Sequence, residues 1–587
     1  MINKKQIIRT FEKIALYMEL KGENPFKVSA FRKAAQALEL DPRSLAEMDD
    51  VTKLKGIGKG TASVIEELLE TGKSTVLIEL EESVPSSLLP LLKLSGLGGK
   101  KIAKLYQELG IDSIESLKQA CLDGKVQNLA GFAAKTEEKI LKEIEQFNSR
   151  PDRLPIWRFD PVVLLIEDIV GNIKQVDRFS VAGSFRRVKE TSKDLDFIIS
   201  TKHPVDVKEA LLKLLPVKEI IAAGETKVSV TIELEELIDV DFRIVEPEAF
   251  ITALHHFTGS KDHNVKLRQI AKSQGKKISE YGVEQEDGTN LTFESEEAFF
   301  GHFGLPYFPP AVREDSKEFD RIADLKTLIH LDAITSDLHM HTTWSDGAHS
   351  LREMIEACIE KKYTHIAITD HSHYLRVANG LSAERLMDQM EEIHKLRKEY
   401  PSIHILAGTE MDILPDGSLD FDDEILEQLD FVIASIHSSF SQPQEKIMDR
   451  LLTAMKNKHV DMIAHPTGRI VGERAGYNPD VPQLIEWAAK YGKILELNAN
   501  PHRLDLATEY LIQAQELQVP IAINTDAHSI DQLRFMDTGV KYAQKAWLKE
   551  SNIVNTWSIE KLIDYLKYYS DLLKICFILA SQFENIF

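Results

Sequence analysis

Apolar residues recur every three to four positions through "IIRTFEKIALYMEL" (7–20), the spacing that turns one helical face toward a core. Segments of this kind, joined by short glycine turns, run to about residue 150 and read as all-α. From Ser180 to Val245 the period changes to two. "FSVAGSF", "LDFIIS", "VSVTIEL" and "LIDVDFRIV" alternate as half-buried strands do. Residues 246–315 are mixed and end near "GLPYFPP"; the charged stretch 316–335 lacks sheet character and is expected to be a linker. After it, seven strand-like runs alternate with helical patterns: "SDLHMHT", "HIAITDH", "IHILAGTEM", "FVIASIH", "DMIAHP", "ILELNA" and "PIAINTDAH". Seven such units predict an α/β barrel. The expected divisions are 1–85, 86–150, 151–245, 246–315, 316–335, 336–569 and a tail, 570–587, without an assigned role.

A chain of 587 residues is too long for one core, which agrees with several domains. Its start carries no charged-then-apolar leader, so no signal peptide is expected. The apolar run from Leu572 to Ala580 is broken by Lys574 and falls short of the roughly 20 residues that cross a bilayer. Cys121, Cys358 and Cys576 lie too far apart in sequence to suggest a disulfide or metal framework, which suits a reducing cytoplasm. The net charge of -22 would argue against nucleic-acid binding if it were evenly spread. It is not: residues 1–150 hold 23 Lys+Arg against 22 Asp+Glu.

That neutral region contains a weak repeat: "LKGIGKGTA" (54–62), "LSGLGGKKIA" (94–103) and "LAGFAAKTEEKI" (129–140). A glycine turn opening a helix points free N–H groups at an anion, and a DNA phosphate is the natural partner. One such turn is explained equally well by a helix cap; three, with lysines adjacent, favour DNA. They resemble helix-hairpin-helix motifs, with Gly56, Gly58, Gly60, Gly96 and Gly98 as DNA-contacting positions. The third departs from the pattern, with Ala133 at the second glycine.

"VAGSFRRVKETSKDLDFII" (181–199) places Asp194 and Asp196 two apart on a strand, hence on one face. Adjacent carboxylates stay ionised together around a cation. "LIDVDFRIV" offers a third, Asp241 or Asp239. With "VDFR" and "HFTGSKDHNVKLR" (256–268), residues 1–315 resemble family X DNA polymerases, the DNA polymerase beta family. The resemblance implies helix-hairpin-helix regions before an α+β nucleotidyltransferase palm and a thumb-like subdomain. It implies that Asp194, Asp196 and Asp241 hold two Mg²⁺ or Mn²⁺ ions as the catalytic carboxylates. Gly183, Ser184 and Arg187 would bind the triphosphate, Phe257 and Gly259 would face the sugar, and Asn264 and Arg268 would reach the minor-groove side of the new pair. Val188 stands where the family has glycine, and His256 where it has tyrosine; the second puts strict sugar selection in doubt.

In the last region, metal-type ligands fall at the ends of the strand-like runs. They are His339, His341, Asp346, His371, Glu410, His437, His465, Asp526 and His528. The C-terminal rim of a barrel is where active sites form. Nine nitrogen or oxygen donors without sulfur suit two or three Mn²⁺, Zn²⁺ or Fe²⁺ ions. His365, His373, His404 and His459 stand outside the pattern and read as structural or surface residues. The region resembles the polymerase-and-histidinol-phosphatase (PHP) superfamily of metal-dependent phosphoesterases, in a distorted α/β barrel.

Together these readings describe a cytoplasmic, monomeric repair enzyme. It would fill short gaps in primed DNA bearing a 5′-phosphate, use deoxynucleoside triphosphates, and trim 3′ ends with its barrel. The alternatives are a barrel acting as a small-molecule phosphatase or pyrophosphatase, and a non-catalytic DNA-end scaffold. The lysine with which some family X members remove a 5′-deoxyribose phosphate falls on Val64, so lyase activity is expected to be absent.

Overall fold

A computed structural model describes residues 4–40, 51–94, 97–147, 153–285 and 287–584. The chain divides into two compact units, Met1–Asp152 with Val265–Ser273, and Arg153–Asn264 with Gln274–Phe587. No helix among the described residues is long and apolar enough to cross a membrane.

The first unit is helical, as its periodicity predicts. Phe11, Ile14, Leu38, Ile65, Leu105 and Ile140 share one core. Gly56 has φ +115°, open to glycine alone without strain, and the following helix Lys59–Thr71 is capped at its N-terminus by Gly58. Val64 is buried in that helix. Gly96 lies outside the described residues.

In the second unit a five-stranded sheet forms the palm. Its strands Leu195–Ser200 and Leu237–Val245 are parallel neighbours. Ile238, Val240, Phe242 and Ile244 turn inward while Asp239, Asp241 and Arg243 occupy the other face, the strict alternation of a one-sided core. The expected linker is not an open tether. Phe319, Leu328 and Ile329 are buried, Ile329 joins the barrel's core, and its N–H donates to the Leu548 carbonyl at 3.0 Å.

The barrel has seven strands, all parallel and in chain order, from Ser336–Asp337 to Ile521–Asn524. A parallel bridge between Met340 and Ala527 joins its first and last strand ends, with the His341 N–H donating to the Ala527 carbonyl at 2.8 Å. Leu338, Ala367, Ile433, Met462 and Ala522 form one apolar cluster with Trp557 and Leu562. The tail expected from residue 570 continues helix Ile559–Glu584.

Palm and barrel meet through specific contacts. The Trp157 ring stacks on His502 with centroids 4.1 Å apart, and its Nε1 donates to the Val471 carbonyl at 3.2 Å. Arg158 pairs with Glu473 at 2.9 Å, and Arg469 with Glu190 at 2.9 Å. Val188 is buried in the barrel's core cluster at φ +50°. A β-branched residue in that region costs about 1–2 kcal/mol in backbone strain, which its burial offsets. The packing of the 316–335 segment has a testable consequence. Ile329→Ala should lower unfolding stability by about 2–4 kcal/mol in denaturant titration, as for a core residue, and a tether residue would cost almost nothing.

Candidate active sites

Parallel pairing sets Asp196 directly beside Asp241, and Asp194 lies just before the same strand. Asp239, the alternative third carboxylate, is engaged elsewhere, accepting from Thr231 Oγ1 at 2.7 Å. Burial, then repulsion from Asp194 and Asp241, pushes Asp196 up to about 7. Burial and Asp241 likewise raise Asp194. Three crowded carboxylates on one face form a donor set that fits divalent cations. Asp241 also meets Lys227 Nζ at 2.7 Å.

Gly183 opens the short helix Gly183–Arg186 against this cluster with φ +63°. A Cβ there would fall 2.1 Å from Asp196 Oδ2, so both conformation and space demand glycine. The Ser184 hydroxyl bonds that of Ser192. Gly259 ends helix Phe250–Thr258, and a Cβ there would crowd His263 and Asn264. The Asn264 amide donates to the His256 carbonyl at 2.8 Å and the Gly259 carbonyl at 3.2 Å, which fixes that turn. Arg243 lies over the Phe257 ring at 4.7 Å. Arg268 is one turn beyond Asn264 on helix Lys261–Ser273. Arg187 is buried and already engaged: it donates to the Thr258 carbonyl at 2.7 Å and faces Glu314 at 3.3 Å.

All nine ligand-type residues of the barrel converge at the C-terminal ends of its strands. His341, Asp346, His371 and His528 form one group; His339, His341 and Asp526 a second; His371, Glu410 and His437 a third. His465 Nε2 reaches Glu410 Oε1 at 2.9 Å. His339 Nε2 and His341 Nε2 face each other at 3.2 Å, and His341 Nε2 lies 3.2 Å from Asp526 Oδ1. The buried His341 Nδ1 has no hydrogen-bond partner, and Glu410 Oε2 lies among the ring nitrogens of His371, His339 and His341 at 2.8, 3.5 and 3.6 Å. Orphaned donors in a nitrogen and oxygen cluster fit a multi-cation centre. Burial and the neighbouring imidazoles His528 and His371 hold His341 well below its usual value. Burial opposes ionisation of His437, but Glu410 and Asp412 outweigh it and push that ring up to about 10. His365 and His404 begin their strands, at the other end of the barrel.

Sequence reading missed the residues behind the ligands. Glu496 accepts from His339 Nδ1 at 2.7 Å, and Asp412 lies 3.2 Å from His437 Nδ1. Such carboxylates fix the ring that ligates. A signal existed: Glu496 is a charged residue in the wholly buried strand Ile494–Asn498. Glu496→Gln should therefore weaken divalent-cation binding at the barrel about 10–100-fold by titration calorimetry, with nucleotide addition unchanged.

Comparison with known proteins agrees with this layout. Family models match a helix-hairpin-helix domain over 2–74, a SAM-like helix-hairpin-helix tandem over 88–146, the DNA polymerase beta thumb over 253–314 and a PHP domain over 337–500. The chain is 58% identical over 567 residues to the "DNA polymerase/3'-5' exonuclease PolX" of Bacillus subtilis, covering 96% of this chain and 100% of that protein. A probable phosphatase of Thermoanaerobacter sp. is 31% identical over 243 residues, 39% of this chain and 94% of that protein. Another, from Acetivibrio thermocellus, is 27% identical over 240 residues, 39% of this chain and 94% of its own length.

Proposed function

The chain belongs to the PolX family of DNA polymerase/3′–5′ exonucleases, and from that membership we propose how its two ligand clusters divide the work. The palm carboxylates serve nucleotide addition, and the barrel cluster serves 3′-end hydrolysis. The observation that carries this reading is the presence, in one chain, of two separate donor sets: Asp196 registered beside Asp241, and nine ligand-type residues at the barrel rim. A small-molecule phosphatase is the weaker reading. The phosphatase relatives align with 39% of the chain, whereas the relative spanning 96% is named an exonuclease. A scaffold without catalysis leaves both clusters unexplained.

At the palm, Asp194, Asp196 and Asp241 would hold Mg²⁺ or Mn²⁺, which supplies charge neutralisation for the triphosphate and activation of the primer hydroxyl. Gly183 lets the backbone approach, and its N–H with that of Ser184 donates to phosphate. Phe257 and Gly259 face the sugar, while Asn264 holds their turn and Arg268 extends toward the new pair. At the barrel, the nine residues would hold two or three ions, Mn²⁺, Zn²⁺ or Fe²⁺, which supply an activated water and a charged cradle for the scissile phosphate. Glu496 and Asp412 keep His339 and His437 oriented there. The enzyme works in the cytoplasm as a monomer on gapped DNA.

The two centres should separate by mutation. Asp196→Ala should abolish primer extension and spare 3′-end digestion, and His339→Ala with His341→Ala should do the reverse. Loss of both activities in either variant, with circular dichroism unchanged, would contradict the division.

The first glycine hairpin supports recognition of a downstream 5′-phosphate. Gly58 and Gly60 have open space around them, and Lys53, Lys55 and Lys59 are exposed. Gap filling should be faster with a 5′-phosphate than without it, and the advantage should fade as salt rises through counterion competition. Equal rates on both gaps at low salt would remove this role.

The lyase position is Val64, a core side chain without an amine. Borohydride should trap no covalent adduct with incised abasic DNA; an adduct lost in Lys59→Ala would place a shifted nucleophile in the turn.

A further inference from the structure

The turn that carries Gly183 and Ser184 rests on the barrel. Val188 lies within the barrel's core cluster, and Phe185 packs against it. Lys545, the last residue of barrel helix Phe535–Lys545, donates to the Arg187 carbonyl at 3.2 Å and to the Glu314 carboxylate. Glu314 also meets Arg187 Nε at 3.3 Å and Lys189 Nζ at 3.4 Å. Arg187 Nη1 in turn donates to the Thr258 carbonyl at 2.7 Å. Thr258 stands between Phe257 and Gly259 and is held from its other side, where Arg186 donates to its hydroxyl at 2.9 Å. Arg186 is itself clamped by Glu296 at 2.7 Å, which also binds the fully buried Arg313. Ser260, next after Gly259, donates its N–H to the Arg313 carbonyl at 3.0 Å.

An unbroken path of charged contacts thus runs from a barrel helix to the sugar-facing turn of the polymerase. We propose that Lys545 is a positioning residue for nucleotide addition: through Glu314 and Arg187, the phosphoesterase barrel sets the placement of the Phe257–Gly259 turn and the Gly183–Ser184 turn. The proposal rests on the polymerase-site reading above. It gives the buried Arg187 a bracing task through its contacts with Thr258 and Glu314. It also explains why a valine occupies a left-handed position at residue 188, since the side chain that strains the backbone anchors the turn to the barrel. The charges agree. Burial alone would raise the Glu314 carboxyl, but Lys545 and Arg187 outweigh it and hold it below its usual value. Without Lys545, Glu314 loses its closest cation and the Arg187 carbonyl loses a charged donor.

The test is steady-state addition on gapped DNA with deoxy- and ribonucleotides, beside digestion of a 3′-labelled strand by the same full-length protein. In Lys545→Ala and in Glu314→Gln, KM for the deoxynucleotide should rise about tenfold, the worth of one charge-assisted contact, with kcat nearly unchanged. Discrimination against ribonucleotides should fall, 3′-end digestion should match wild type, and Lys545→Arg should restore KM. An unchanged KM and unchanged sugar discrimination in Lys545→Ala would overturn the proposal. So would parallel loss of addition and digestion with a lowered Tm, which would mark a purely structural contact. Asp196→Ala is the control for the underlying reading: if it still adds nucleotides, the polymerase site is misplaced, whatever Lys545 does.

Discussion

Like charges and imidazoles crowded out of water are the constraint on which this molecule depends. They occur twice. In the palm, Asp194 and Asp196 are raised by burial and by the carboxylates around them. At the barrel rim, ring nitrogens face one another at hydrogen-bond distance, and the buried His341 Nδ1 makes no hydrogen bond. A divalent cation bound among such groups would relieve the repulsion between like charges. Much of the fold serves to hold these residues where they would not otherwise stay. Strand register locks Asp196 to Asp241, the barrel's closure through Met340 and Ala527 fixes His341, and Glu496 orients His339.

The two centres are chemically independent yet mechanically joined. Each draws its ligand-type residues from its own elements, so neither cluster contributes to the other. The palm's nucleotide turn is nonetheless built against the barrel, through Val188 in an apolar core and through Lys545 in a charged path. A polymerase with this architecture carries its hydrolytic domain both as a second catalyst and as part of the wall behind its first.

Periodicity made the architecture legible. The change from a 3.6-residue to a two-residue repeat separated helical unit from palm, and seven strand-like runs became seven parallel strands. The candidate ligand residues stood out because histidines and carboxylates at strand ends have few structural reasons to recur, and the fold brings them together. What sequence could not supply was anything set by long-range packing. The 316–335 segment read as a linker because its charges mask the few apolar residues, Phe319, Leu328 and Ile329, that bury it. Local spacing suggests a phosphate role for Arg187 but says nothing of its contacts with Thr258 and Glu314, which lie 71 and more residues away. Glu496 and Asp412 were overlooked because their function is to hold other ligands. Register sets Asp241 beside Asp196 and leaves Asp239 with Thr231, a difference that spacing alone does not show.

The central claim, that two cation-held centres process one DNA end, is tested most directly on a primer with a mispaired 3′ nucleotide. The primer is annealed to template and incubated with Mn²⁺ and all four deoxynucleotides, and products are resolved by length. The account predicts loss of the mispaired nucleotide followed by extension from the corrected end. Phosphate release from small phosphomonoesters, with the mispaired primer left at its starting length, would contradict it.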